Sequence, residues 1–204
     1  LASVAEKERR ILEIIEEMRE LSRLWRQEYQ LMLSSAEMRP LGSCGRVLGG
    51  GTPSKANPEF WRGKIPWVTA KEMWNYEVMD SNLKISEAAM KASPVKLIPA
   101  NSVLFVVRGS ILFKRVPVAV NRVVCTINQD MKAIVPDDEI LGDYLAHMMW
   151  AANEELKSLV DTAGNSAGKL ETHKWSAVEI PIPKNKDEQR RIVSRLDALS
   201  AKQT

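Results

Sequence analysis

From residue 3 to residue 37 the chain contains neither glycine nor proline. Apolar side chains recur through that stretch in steps of three and four, at Ile11, Ile14, Met18, Leu21, Trp25 and Met32, with Glu28 interrupting the series. This spacing lays one stripe along a single helix, roughly 50 Å long at about 1.5 Å per residue. A helix of that length cannot cover its own stripe, so it calls for a second helix. Arg39-Pro40-Leu41-Gly42 ends the pattern, because the residue before a proline is pushed out of the helical region.

The texture then changes. Gly49-Gly50-Gly51-Thr52-Pro53, Asn57-Pro58, Ile65-Pro66, Ile98-Pro99 and Arg108-Gly109-Ser110 are turn signals. Between them lie short apolar runs, Val103–Val107, Val116–Val120, Val123–Ile127 and Met131–Val135, which read as strands of a mixed sheet. Short helices are predicted near 70–75 and 86–92. A longer one is predicted from Ile140 to Val160, with Leu141, Tyr144, Leu145, Met148, Met149 and Leu156 inward. Ile180-Pro181-Ile182-Pro183 is an extended exit, and Asp187–Ala201 is helical again. That last helix lies over the first at an offset of 181 residues, Asp187–Leu199 on Glu6–Met18, with three of 13 positions identical. The predicted fold is α+β: a long coiled-coil spacer helix over 1–39, a mixed α/β globular domain over 40–183, and the start of a second spacer helix over 184–204. Ile192, Leu196 and Leu199 are expected to meet the stripe of Ile11, Ile14, Met18, Leu21 and Trp25, from the same chain or a second copy.

With 204 residues, 45% of them hydrophobic, a core of useful size forms without disulfides or structural metals. Cys44 and Cys125 lie far apart and read as two reduced thiols. No apolar run approaches the ~18–20 residues of a membrane span. Leu1–Val4 lacks the basic and apolar regions of a signal peptide, so a cytoplasmic protein is expected. The formal charge of +3 is unevenly spread: residues 46–132 carry 13 basic and 6 acidic side chains, residues 133–183 carry 3 and 9. A local excess of that size suits a polyanion-binding face.

Catalytic patterns fail on inspection. Gly164–Leu170 is one residue short of a phosphate-binding loop, and Leu170 stands where a magnesium-holding hydroxyl belongs. Pro136-Asp137 with Glu155-Leu156-Lys157 imitates a nuclease metal triad, but the second half falls inside a predicted helix instead of converging from strands. Asn57-Pro58-Glu59-Phe60 faintly resembles an amino-methyltransferase motif, without the glycine-rich cofactor loop. His147 and His173 are 26 residues apart with no cysteine pair near them, so neither a zinc site nor a serine triad is expected.

What remains is a set of polar loops. Gly50–Lys55 offers backbone N–H groups, two hydroxyls and a cation, which suit phosphate or make a plain surface turn. Arg62 and Lys64 flank Gly63 beside Trp61 and Trp67, rings that serve either the core or base stacking. Arg108 sits at the end of an apolar run. Asn128-Gln129-Asp130 separates two apolar runs; Asn and Gln can read adenine bidentately, or can cap the turn between strands.

In order, Gly50–Lys55, Asn57–Thr69, Val107–Ile111, Thr126–Ala133 and Ile180–Pro183 with Glu188–Val193 resemble the target recognition domain and spacer helix of type I restriction-modification specificity subunits. Members usually carry two such domains, each followed by a spacer helix, which implies a half subunit or a C-terminal half here. The resemblance implies a non-catalytic subunit without metal or cofactor of its own, reading one half of a bipartite double-stranded DNA target. It would direct methyltransferase subunits holding S-adenosylmethionine and a restriction subunit that translocates with ATP and magnesium, with a homodimer through the spacer helices possible. On this reading Thr52, Ser54, Lys55, Arg62, Lys71 and Lys169 contact phosphates, and Arg108, Ser110, Asn128 and Gln129 read bases. Two alternatives stand beside it: a stand-alone nuclease or methyltransferase with an appended recognition domain, and a coiled-coil adaptor that binds protein.

Overall fold

The computed structural model describes residues 36–163 and 166–201, with Glu6, Arg9, Leu12, Glu16, Arg23 and Gln27 before them. Those six are helical and exposed. The stripe residues Ile11, Ile14, Met18, Leu21 and Trp25 lie outside the described residues, as does the Leu199 side chain, and so does the pairing expected between them.

Among the described residues the order is β1 (Glu37–Pro40), β2 (Gly45–Gly49), β3 (Ile65–Val68), β4 (Glu77–Val78), β5 (Lys84–Ile85), α1 (Glu87–Ala92), β6 (Val103–Val106), β7 (Arg108–Gly109), β8 (Val118–Asn121), β9 (Thr126–Ile127), β10 (Met131–Pro136), α2 (Gly142–Ala151), α3 (Asn153–Ser158), β11 (Gly168–Lys169), α4 (Thr172–Trp175), β12 (Glu179–Ile182) and α5 (Lys186–Ala201). Four 3-10 turns, at Leu41–Ser43, Pro58–Trp61, Ala70–Glu72 and Ser110–Phe113, join them. The mixed α+β class agrees with the expectation.

A five-stranded sheet ordered β2-β10-β6-β8-β4 is the backbone of the body. All its pairs are antiparallel except the short edge β4, which runs parallel to β8. The continuous apolar run of β6 makes sense in the middle: Val103, Leu104, Phe105 and Val106 are all fully buried, as a strand covered on both faces must be. On one side α2 packs through Tyr144, Leu145, Met148 and Met149, also buried. Phe105 also meets Trp175 of α4 edge-to-face at 5.0 Å.

Three expectations are corrected. Residues 37–40 form β1 instead of the last turn of the first helix; Pro40 forces Arg39 out of the helical region, and the proline-stiffened exit β12 offers an edge with which β1 pairs antiparallel. The helix predicted from Ile140 to Val160 breaks at Ala152, and the next residue, Asn153, is anchored on another segment, its amide bonding the N–H and C=O of Val116 at 3.2 and 2.7 Å. Val123–Ile127 shrinks to Thr126–Ile127, since Cys125 makes only a bridge to Ile98. Leu196 is 2% exposed and belongs to the main hydrophobic cluster, with Ile192 and Val193 packed against that cluster. The helix α5 starts four residues after β12 and lies on α2.

Candidate nucleic-acid interface

The strand directions decide where the polar loops go. β2 ends, β10 begins and β6 ends at the same edge of the sheet, with Lys132 opposite Gly49 and Met131 opposite Val106. β3 and β9 run parallel, Val68 beside Ile127, so the segment after each also emerges there. Four loops therefore gather at one end: 50–57, 69–72, 107–110 and 128–130.

Backbone hydrogen bonds lock them to one another. The Asp130 carbonyl accepts from the N–H groups of Val107 and Arg108 at 2.8 and 3.2 Å. Asn128 N–H donates to Val68 C=O at 3.0 Å, Gly51 N–H to Ile127 C=O at 3.0 Å, and Leu170 N–H to Val107 C=O at 2.8 Å. Gly50 is required by this closeness: a Cβ there would stand 1.9 Å from the Asn128 carbonyl oxygen. Gly109 has φ of 143°, a conformation that side chains resist, and it turns the chain from β7 into the 3-10 turn behind. The 50–57 loop rests on two tryptophans: Trp67 donates its indole N–H to Gly51 C=O at 2.9 Å and Trp61 to Ser54 C=O at 3.1 Å. The rings meet edge-to-face at 5.0 Å, and Trp67 is buried. These rings therefore serve as the loop's foundation.

The predicted residues separate into three groups on this base. Lys55, Lys71 and Arg108 are exposed and make no ion pair among the described residues; Ser54 and Ser110 are exposed beside them. Gln129 is exposed and already oriented: its Oε1 accepts from the Thr52 hydroxyl, and its Nε2 lies 3.4 Å from Asp130 Oδ2. Lys71 stands on a turn stiffened by a capping box between Thr69 and Glu72. The second group is compensated. Arg62 pairs with Glu59 at 2.9 Å and Lys169 with Glu171 at 2.6 Å, a bond that holds the Glu171 carboxyl below its ordinary value. Asn128 stands apart: it is 9% exposed, its Oδ1 accepts from Asp130 N–H at 3.2 Å and its Nδ2 reaches Asp130 Oδ2 at 3.4 Å. It caps the loop, with both ends of its amide engaged by Asp130.

The electrostatics favour an anion at this end. Arg108 and Lys169 are direct cross-strand partners of β7 and β11, an arrangement of like charges that costs energy unless offset. Glu171 offsets Lys169 alone, leaving Arg108 exposed and without an ion pair among the described residues. Sequence reading passed over Lys132 and Asp130. Lys132 is half-buried between the buried Met131 and Ala133, and its period-two place in β10 was the signal for it. Asp130 organises the loops through its main chain, which leaves no mark in the sequence.

The dismissed chemistry has a plain account in the structure. Asp137 bonds Arg39 at 3.1 Å, and Glu155 is exposed on α3. His147 Nε2 lies 3.0 Å from Asp197 Oδ1, while His173 is exposed. Burial pushes the Cys44 and Cys125 thiols up to about 11 and about 12, far from a nucleophilic thiolate. Among the described residues, no three His, Cys, Asp or Glu side chains are grouped to hold a metal, and no helix is long and apolar enough to cross a membrane.

The sheet end thus raises one oriented amide and several exposed cations on interlocked loops, an arrangement suited to binding rather than to catalysis. Residues 34–204 match the family model of the type I restriction modification DNA specificity domain, and the chain belongs to that family. It is 43% identical over 162 residues to the type I restriction enzyme EcoR124I/EcoR124II specificity subunit of Escherichia coli, covering 79% of this chain and 40% of that protein. It is 30% identical over 159 residues to the MjaIX specificity subunit of Methanocaldococcus jannaschii, covering 76% and 35%. The fold is shared with the HsdS subunit from Thermoanaerobacter tengcongensis, at a TM-score of 0.62 and 20% identity over 100% of this chain and 52% of that one. It is shared too with a chain from a structural study of the assembly and conformational transition of the type I R-M system, at a TM-score of 0.64 and 20% identity over 98% and 53%. This chain thus spans two fifths or less of these two curated relatives.

Proposed function

We propose that this domain recognises one half of a bipartite double-stranded DNA target, as the non-catalytic specificity element of a type I restriction-modification system in the cytoplasm. The observation that carries the reading is the convergence of Lys55, Lys71, Arg108 and Gln129 on one end of the sheet, with Arg108 exposed and without an ion pair among the described residues. Lys55, Lys71, Ser54 and, once released from their carboxylates, Arg62 and Lys169 meet phosphates and supply affinity. Arg108, Ser110 and Gln129 face base edges; Arg suits guanine and Gln suits adenine in the major groove. Thr52 orients Gln129. Methyltransferase subunits carrying S-adenosylmethionine and an ATP- and magnesium-dependent restriction subunit act on the DNA so marked, and the first spacer helix joins the copies or partners together. The relatives' names as specificity subunits support this assignment.

Salt titration of duplex binding tests it. Affinity is expected to fall steeply with salt, and Lys55→Ala to reduce the slope by about one unit for the lost phosphate contact, equally on target and non-target duplexes. Binding that is insensitive to salt would favour the protein-binding adaptor instead.

A further inference from the structure

α5 leaves the domain through a polar contact of an unusual kind. Gln189, in its first turn, is fully buried. Its Oε1 accepts from Leu141 N–H at 2.9 Å, and its Nε2 donates to Glu139 C=O at 2.9 Å and to Pro183 C=O at 3.0 Å. One side chain thus satisfies three main-chain groups from two segments, the approach to α2 and the exit from β12. Leu141 is the N-cap of α2 and receives no help from its own side chain. Gln189 does from a second helix what the N3 side chain of a capping box does within one.

The contact continues along the helix. Gln189, Ile192, Val193 and Leu196 fall at i, i+3, i+4 and i+7, one face of α5. Leu196 is in the core and the two residues between pack on it. Asp197, one residue on, meets the buried His147 of α2 at 3.0 Å. Apolar packing permits a helix to slide or roll; a buried amide with three directional bonds does not, because any displacement strands three desolvated main-chain groups.

We propose that Gln189 is a positioning residue that fixes the direction in which α5 departs, so that the recognition loops and the exit helix turn as one body. Its consequence, that a half-target is presented at a set angle to whatever α5 leads into, rests on the reading of the function above; the latch itself does not.

The test uses the full chain without DNA, so its failure and that of the DNA reading are distinct. Spin labels at Asn82→Cys and Ser194→Cys, both exposed positions, report the angle, while the native thiols are fully buried. With Gln189 present a single narrow distance population is expected; Gln189→Ala broadens it. In the same variant the Leu141 amide exchanges at least roughly tenfold faster, for the loss of a buried hydrogen bond, while the amides of β6 keep their protection. Gln189→Glu supplies a readout that simple packing would not move, with the unaltered chain measured at both pH values to subtract the titration of the His147–Asp197 contact across the same interface. As a carboxylate, at about pH 8, it faces two carbonyls and releases the helix; as the neutral acid, at about pH 5, it regains an acceptor and one donor and narrows the distribution again. Equal widths at both pH values, or Gln189→Ala with unchanged distances and exchange, would overturn the proposal. Should Gln189→Ala fail to fold, the unaltered chain decides: Leu141 N–H must exchange as slowly as Leu145 N–H inside α2, and rapid exchange there refutes the latch.

Discussion

Two arginines at opposite ends of one sheet show how the molecule separates holding from reaching. Arg122 follows β8 at the end away from the recognition loops. It donates to Glu77 at 2.7 Å, to Asn101 Oδ1 at 3.1 Å and to both oxygens of Asp143 at 2.5 and 3.2 Å. Those bonds, Asp143's foremost, raise its pKa above the ordinary arginine value. Arg108 follows β6 at the other end, exposed and with no ion pair among the described residues. The same side chain closes a network in one place and stands exposed in the other. A basic residue in a sequence therefore says little until its carboxylates are located.

The comparison can be broken by experiment. Arg122→Ala should have the largest effect, about 3 kcal/mol of stability in urea unfolding, since it strands the partly buried Asp143. Its folded fraction should bind duplex DNA with an unaltered salt slope, and a changed slope would erase the distinction between the ends. Arg108→Ala should leave stability within about 0.5 kcal/mol and remove about 2 kcal/mol of preference for target over non-target duplex, read from paired titrations. Gln129→Ala comes next, at about 1 kcal/mol, and sharpens the picture by where that loss falls. A drop in target preference marks a base reader, whereas a lower melting temperature with unchanged preference marks a loop cap like Asn128. The smallest effect belongs to Glu155→Ala. Exposed on α3, it should change neither stability nor binding beyond about 0.5 kcal/mol, and loss of any DNA cleavage with it would revive the nuclease.

How far the sequence disclosed this follows from what each feature depends on. β6, β10 and α2 were legible because unbroken apolar runs or a helical apolar face carry their own instruction. β1, β7 and β11 exist through partners distant in the chain and have almost no pattern themselves. Asn128 and Gln129 are neighbours of similar chemistry, yet one is buried and one exposed; the close approach of Gly50 and the turn at Asp130 decide between them. Leu196 carries the same apolar signal whether it faces a coiled coil or the core, so the periodicity of α5 alone does not name its neighbours.

The pairing of β1 with β12 has a consequence for how such a chain is put together. Strands paired antiparallel lie about 5 Å apart, so the body between residues 41 and 178 begins and ends at nearly the same point. It sits in the chain as a plug sits in a socket, both contacts on one side. Loops at its far end can lengthen, shorten or change composition without shifting where the incoming and outgoing chain are held. A different plug would fit the same fitting if it kept the two strands and a main-chain seat for Gln189, and the remainder of the chain would register no change of geometry.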